Sequence, residues 1–125
     1  KEDFEAELTR NRSRFRLLEA EGEICGYFVI YTVLDESELA DIAVSPEYRG
    51  NGYGRLLLAD AVSCAKNAVV MFLEVDTTNE SAIRLYSSFG FERVGHIKDY
   101  YGQHRDAYIM KLNINDEVRN VEKPY

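Results

Sequence analysis

The chain reads as one α/β domain built on a mixed sheet, and two features of its pattern say so. The middle of the sequence runs strand, helix, strand, helix, strand, by the alternation of short apolar runs with helical periodicity. Segments that read as hairpins lie on either side. A strand–helix–strand path makes its two strands parallel, whereas hairpins are antiparallel, so one sheet has to contain both pairings. With 125 residues, 46% hydrophobic and 30% charged, the chain can bury one core and is too short for two.

Taken in order, Glu2 to Arg10 carry Phe4 and Leu8 at helical spacing, which predicts a short helix. Phe15 and Leu17 alternate with arginines, Glu21-Gly22 makes a turn, and Ile24 to Val33 is a nearly continuous apolar run. This predicts two antiparallel strands, the second buried on both faces. Leu39 to Val44 is a further strand, stopped by Ser45-Pro46. From Arg55 to Lys66, Leu57, Leu58, Ala61, Val62 and Ala65 share one helical face. Val69 to Val75 is apolar except for Glu74. Asn79 is an N-cap for a helix over Glu80 to Ser88, ended by Gly90. Phe91 to Ile97 and Ala107 to Leu112 alternate as strands, with a tyrosine- and glycine-containing loop between them. The domain is assigned residues 1–113. Residues 114–125 are charged and aperiodic and are assigned to a mobile tail.

Composition removes several classes of function. A net charge of −7 argues against nucleic-acid binding, which needs a basic face, and suits a cationic partner. No apolar run approaches the roughly 18 residues of a membrane span, and no signal peptide is visible, so the expected location is cytoplasmic with no membrane partner. Cys25 and Cys64 are far apart and read as buried free thiols. His96 and His104 are not at metal-ligand spacing from each other or from the cysteines, so no metal is expected.

The residues that carry chemistry begin with Arg49-Gly50-Asn51-Gly52-Tyr53-Gly54, placed between a strand end and a helix start. Glycines at alternate positions turn the chain tightly and let main-chain N–H groups approach a ligand. Delivered to a helix N-terminus, those donors suit a phosphate. A glycine-rich turn that merely caps a helix is the plainer alternative. Arg49 and Arg55 add to the ligand reading, because a cation at a helix N-terminus opposes the dipole unless an anion is bound; solvated charge is the alternative. Glu74 stands in an otherwise apolar strand, where burial raises a carboxylate's pKa toward the range useful to a general base. Its alternative is a strand-end carboxylate in water. For Tyr86, core packing with a satisfied hydroxyl is what the residues alone favour.

The string Ile42-Ala43-Val44-Ser45-Pro46-Glu47-Tyr48-Arg49-Gly50-Asn51-Gly52-Tyr53-Gly54-Arg55 resembles the acetyl-CoA core of the GNAT superfamily of N-acetyltransferases. Leu73-Glu74-Val75, Asn79, Ser81-Ala82-Ile83, Leu85-Tyr86 and Phe89-Gly90-Phe91 are similar to the family's next strand and helix. With Tyr100-Tyr101 and Arg105-Asp106-Ala107-Tyr108-Ile109-Met110, they most resemble the ribosomal-protein alanine N-acetyltransferase (RimI-type) branch, from about Glu2 to Leu112. The resemblance implies the GNAT fold, a mixed and mostly antiparallel sheet flanked by helices. Family members begin with a strand and a helix ahead of the segment matching residues 1–10, so that unit is expected to be missing. The absent helix normally forms one wall of the acceptor groove.

By the same resemblance, the glutamate matching Glu74 takes the proton from the acceptor ammonium, and the tyrosine matching Tyr86 protonates the departing CoA thiolate. Asn79 contacts the cofactor, Ile42, Ala43 and Val44 hold the acetyl-pantetheine arm, and Gly50 to Arg55 cover the pyrophosphate. Tyr100 and Tyr101 line the peptide end of the groove. The chemistry needs these types. An α-amine titrates near ~7.7–8.0 and cannot attack a thioester while protonated. A positioned base is worth roughly 10²–10⁴-fold. The expected activity is transfer from acetyl-CoA to the N-terminus of a protein, a ribosomal one, directly in a ternary complex without metal. Neither cysteine falls near the loop or at a strand end, so no acyl-enzyme is expected. Should Glu74 not be the base, Glu38 or a water takes its place. Two other readings stand beside this one: a small-amine acetyltransferase acting on a polyamine or amino-sugar, and an acetyl-CoA-binding regulatory module without turnover.

Overall fold

The structure, a computed structural model, describes residues 13–114. The helix expected over Glu2 to Arg10 and the tail from Asn115 onward lie outside the described residues. Strands β1 (Ser13–Ala20), β2 (Glu23–Val33) and β3 (Glu36–Val44) form an antiparallel meander. A 3-10 turn over Pro46–Tyr48 leads to helix α1 (Tyr53–Cys64), strand β4 (Val70–Asp76) and helix α2 (Glu80–Ser88). The hairpin of β5 (Glu92–Gly102) and β6 (Arg105–Asn113) follows. The six strands form one sheet in the order β1-β2-β3-β4-β6-β5. Among them β3 and β4 are the parallel pair, as a crossover through a helix requires.

Side-chain alternation decides what the helices cover. Phe28 and Ile30 of β2, Leu39 of β3, Met71 and Leu73 of β4 and Met110 of β6 form one core with Leu57, Leu58 and Ala61 of α1 and Tyr86 of α2. Both helices therefore lie on the same face, and Arg55 of α1 donates to Ser88 Oγ of α2 at 2.8 Å. The expectation that β2 is buried on both faces fails. Phe28 is fully buried, yet Tyr31 is 46% and Val33 57% exposed. Apolar content alone does not distinguish a central strand from one whose second face is open toward its end.

Boundaries moved in ways that matter for the site. Helix α1 starts at Tyr53 rather than Arg55, because first-turn residues need no intrahelical partner for their amides and Gly52 supplies the left-handed turn before them (φ 83°). It stops at Cys64, where the Ala65 and Lys66 amides tighten into bonds with Val62 and Ser63 carbonyls. Strand β5 runs on to Gly102, so Tyr100 and Tyr101 belong to a bulged strand end rather than to a separate loop. Ile114, assigned to the tail from sequence, returns its amide to Val69 (2.8 Å) and packs on the core.

Close approach of α1 to the sheet depends on Gly26. A Cβ there would meet the Ala43 carbonyl oxygen at 2.6 Å and Leu57 Cδ1 at 2.8 Å. Because one obstacle is backbone, Gly26→Ala is expected to destabilise the fold by about 1–3 kcal/mol through overpacking. Urea denaturation measures this, and an unchanged midpoint would show that α1 and β3 can part freely at this point.

Candidate active site

The turn after β3 is built from the inside outward. The Ser45 amide donates to the Cys25 carbonyl (2.8 Å) and the Tyr48 amide to Ser45 (2.9 Å), so the chain leaves the sheet in a tight arc. Tyr48 anchors the arc by donating its hydroxyl to Glu23 (2.6 Å), and Asn51 Nδ2 donates to the Tyr48 carbonyl (3.1 Å). Gly50 and Gly52 both have φ near +83°, the region glycine occupies without strain, and a Cβ on either would meet nothing within 4 Å. The space above them is open.

Helix α1 then begins with donors aimed at that space. The Leu56 amide bonds the Gly52 carbonyl (3.1 Å), so the amides of Tyr53, Gly54 and Arg55 precede the first intrahelical bond. Among the described residues no side chain caps this end. Beside it lies a cavity of about 450 Å³, within the range of small-molecule sites. Ile42, Ala43, Val44, Arg49, Gly50, Gly52, Tyr53, Gly54, Asn79 and Tyr86 all line it. Uncapped amides, unobstructed glycines and a pocket of this size fit a pyrophosphate and its attached arm.

A second cavity of about 220 Å³ opens where the sheet splits. Strands β3 and β4 pair only from Glu36↔Val70 to Glu38↔Phe72 and then separate. Beyond that point β3 pairs with β2 and β4 with β6. The residues from Leu39 to Val44 thus present an inner sheet edge whose main-chain groups are not taken up by β4. Ile42, Asn79 and Tyr86 line both cavities, so the two adjoin across these side chains.

Glu74 lines this second part from β4, along with Asp41, Asp76 and Tyr101. Its pKa is raised above the ordinary glutamate value, first by burial and then by the Glu38 carboxylate beside it, while a hydrogen bond from Tyr100 pulls the other way. Tyr86 packs its ring against Phe91 (centroids 5.8 Å apart). Burial, with the nearby Tyr101 and Asp41, pushes its hydroxyl up to about 12, so it stays a donor at neutral pH. Asp41 itself accepts from the Tyr27 hydroxyl at 2.6 Å. Among the described residues no group of three or more His, Cys, Asp or Glu side chains is placed to hold a metal.

Three of the residues singled out from sequence lie outside both cavities. Asn51 braces the turn from within. Arg55 folds back onto α2, bonding Ser88 and lying 5.1 Å from the Phe89 ring centre, so its charge at the helix start needs no anion to explain it. Arg49 does line the larger cavity, but its Nε is committed to the Val44 carbonyl (3.0 Å). Tyr100 reaches Glu74 without lining either cavity. Asn79 caps α2 as expected, accepting from the Ala82 amide (3.2 Å). Cys25 corrects one expectation, since its carbonyl abuts Ser45 at the end of β3; its thiol is nevertheless buried and donates to the Leu18 carbonyl (3.4 Å).

Sequence reasoning missed Tyr48, Ser81, Ala82 and Leu85 as lining residues, and Asp41 and Asp76 beside Glu74. The α2 residues had a signal: Ala82, Leu85 and Tyr86 share a helix face at spacings of three and four. Asp41 had none, because it points into a gap that only the splitting of the strands creates.

Residues 1–91 match the model of the acetyltransferase (GNAT) family. The N-alpha-acetyltransferase RimI of Mycobacterium tuberculosis is 37% identical over 118 residues, covering 90% of this chain and 74% of that protein. A [ribosomal protein bS18]-alanine N-acetyltransferase of Salmonella typhimurium is 36% identical over 103 residues, 78% of this chain and 70% of that one. The crystal structure of the ribosomal-protein-S18-alanine N-acetyltransferase from Escherichia coli superposes with a TM-score of 0.77 at 33% identity, over 88% of this chain and 76% of that chain. The chain belongs to the GNAT family and is an acetyl-CoA-dependent N-acetyltransferase.

Proposed function

We propose that the protein acetylates the N-terminal α-amine of another protein, a ribosomal one, by direct transfer within a ternary complex. The observation that carries this reading is that the two cavities adjoin. An uncapped helix start at one end and a burial-raised glutamate at the other share Ile42, Asn79 and Tyr86 as common walls. The relatives named for RimI and for bS18-alanine acetylation support the choice of acceptor. An acceptor of that kind would be met in the cytoplasm.

In this mechanism the amides of Tyr53, Gly54 and Arg55, with Gly50 and Gly52, hold the diphosphate. The open edge of Ile42, Ala43 and Val44 holds the extended arm through main-chain hydrogen bonds, as an added strand would be held. Glu74 accepts a proton from the acceptor ammonium, directly or through water. A main-chain amide near Val44 stabilises the oxyanion, and Tyr86 donates toward the departing sulfur. Tyr100 and Tyr101 border the acceptor. An alanine-initiated peptide should outpace spermidine; a clear preference for spermidine, or CoA-induced thermal stabilisation without transfer to any amine, would retire the assignment.

Two sets of variants test the roles. Glu74→Gln should bind acetyl-CoA normally and lose roughly 10²–10⁴-fold in kcat. Because Glu74 must be deprotonated to act, the acidic limb of the wild-type kcat/KM profile should lie above the ordinary glutamate value of 4.5. The variant's deficit should be greatest at low pH, where the acceptor is protonated, and shrink above about pH 8 as free amine becomes abundant. An unaltered rate would move the base elsewhere.

The glycines separate folding from ligand binding. At Gly54 a Cβ meets only Leu85 Cδ2 at 3.5 Å, so Gly54→Ala should keep full stability or gain some, by about 1 kcal/mol of helix propensity, while weakening CoA binding. Gly52→Ala should cost about 1–2 kcal/mol of stability, because its φ is left-handed. Calorimetric titration with CoA and thermal melts read the two effects. Full CoA affinity in Gly54→Ala would place the diphosphate away from this helix.

A further inference from the structure

We propose that Asp106 is the positioning residue that sets Tyr100 and Tyr101 at the acceptor end of the cleft. The inference rests on the reading that these tyrosines border the acceptor. Strands β5 and β6 are in register at Ile97↔Ala107 and again at Gly102↔Arg105. Between those pairs, four residues of β5, Lys98 to Tyr101, face the single residue Asp106. So wide a bulge has no ladder of its own and needs another constraint to hold one shape.

Asp106 supplies it from both ends of its carboxylate. Oδ1 accepts from the Asp99 amide at 2.9 Å, and Oδ2 lies 2.8 Å from His96 Nε2. Asp99 sits at φ 57°, a conformation unfavourable for a non-glycine residue, and its own carboxylate accepts from the His104 amide at 2.8 Å. The Asp106 carbonyl takes the Thr77 amide (3.0 Å), tying the bulge to the end of β4 that carries Glu74. The adjacent Arg105 reaches Asp76 Oδ2 at 3.1 Å and places its guanidinium 5.5 Å from the Tyr101 ring centre. Tyr101 meets Tyr100 edge-on at 4.8 Å, and Tyr100 bonds Glu74. A chain of direct contacts thus joins Asp106 to the acceptor side and leaves the helix α1 end untouched.

The experiment is steady-state kinetics with an alanine-initiated peptide, joined to amide hydrogen exchange. Asp106→Ala should raise the peptide KM about tenfold or more, with the KM for acetyl-CoA unchanged, since small misplacements at a positioning group carry penalties of this order. Asp106→Asn keeps an oxygen for the Asp99 amide and should restore most of the loss. In a Tyr100→Ala/Tyr101→Ala background, Asp106→Ala should add nothing, the signature of action through those rings. Exchange should quicken at the Asp99 and His104 amides and not in α1.

An unchanged peptide KM, equal losses on both substrates, or a full additional loss without the tyrosines would overturn the proposal. If the unsubstituted protein transfers no acetyl group to the peptide, the acceptor reading fails separately. Exchange then decides alone: retained protection at Asp99 in Asp106→Ala overturns the positioning role, and selective loss upholds it.

Discussion

The separation of β3 from β4 after three register pairs is the constraint on which the rest of the site depends. Two neighbouring strands that stop pairing expose main-chain donors and acceptors inside a sheet, where unsatisfied groups are costly. The split is built in locally. Val29 pairs with Asp41 and Ile30 with Leu39, so Ala40 is an extra residue in β3, two residues past the last pair with β4. A bulge there bends the strand and increases its twist. At the split itself, Met71, Leu39 and Leu73 still hold both strands to one core. Above it, the opening is a cleft with a polar edge, and Glu74 stands on its wall.

The anion site proposed at the start of α1, in a protein of net charge −7, needs a local source of positive potential. The obvious cations do not provide it freely: Arg55 is held by Ser88 and Phe89, and Arg49 spends its Nε on the Val44 carbonyl. The two helix starts near the cleft differ in a telling way. Asn79 caps α2 with its side chain, whereas α1 begins at Gly52, which has no side chain to offer. The α1 amides therefore retain their hydrogen-bonding capacity, and glycine serves twice, by permitting the left-handed turn and by leaving the helix start uncovered. Backbone donors of this kind carry no net charge and so demand no counter-ion, which suits an acidic protein better than a cluster of lysines would.

Much of the fold was legible because its signals are local. Asn79 before Glu80, Gly90 after Ser88 and the apolar face of Leu57, Leu58 and Ala61 each declare an element without reference to the rest of the chain. The glycine turn and Glu74 were legible for the same reason, each being an anomaly within its own segment. What escaped was whatever depends on two segments meeting. The open second face toward the end of β2, the role of Arg55 as a strut between helices, and the exposure of Asp41 to the cleft all follow from packing across the sheet. The extension of β5 through Tyr100 and Tyr101 was hidden too. Its pairing is carried by a carboxylate on β6, and alternation cannot reveal that.

Burial acts on Glu74 and Tyr86 in the same sense and suits them to opposite tasks. Each is held toward its neutral form, because a low-polarity wall disfavours charge. For the carboxylate, a raised pKa means a stronger base once the proton has gone, closer to that of the amine it is proposed to relieve. For the phenol, a value of about 12 means the proton is never lost in the resting enzyme. A thiol titrates near ~8.5, so complete transfer from such a phenol to a thiolate runs uphill. On the proposed assignment Tyr86 therefore helps most as a hydrogen-bond donor while negative charge builds on sulfur, with the final proton coming from elsewhere, the proton gathered at Glu74 being one source. The Glu38 carboxylate beside it sharpens the division, since its repulsion adds to burial in holding Glu74 toward the neutral form until a cationic amine arrives. The approach of the acceptor itself would then draw Glu74 into the ionised state in which it can act.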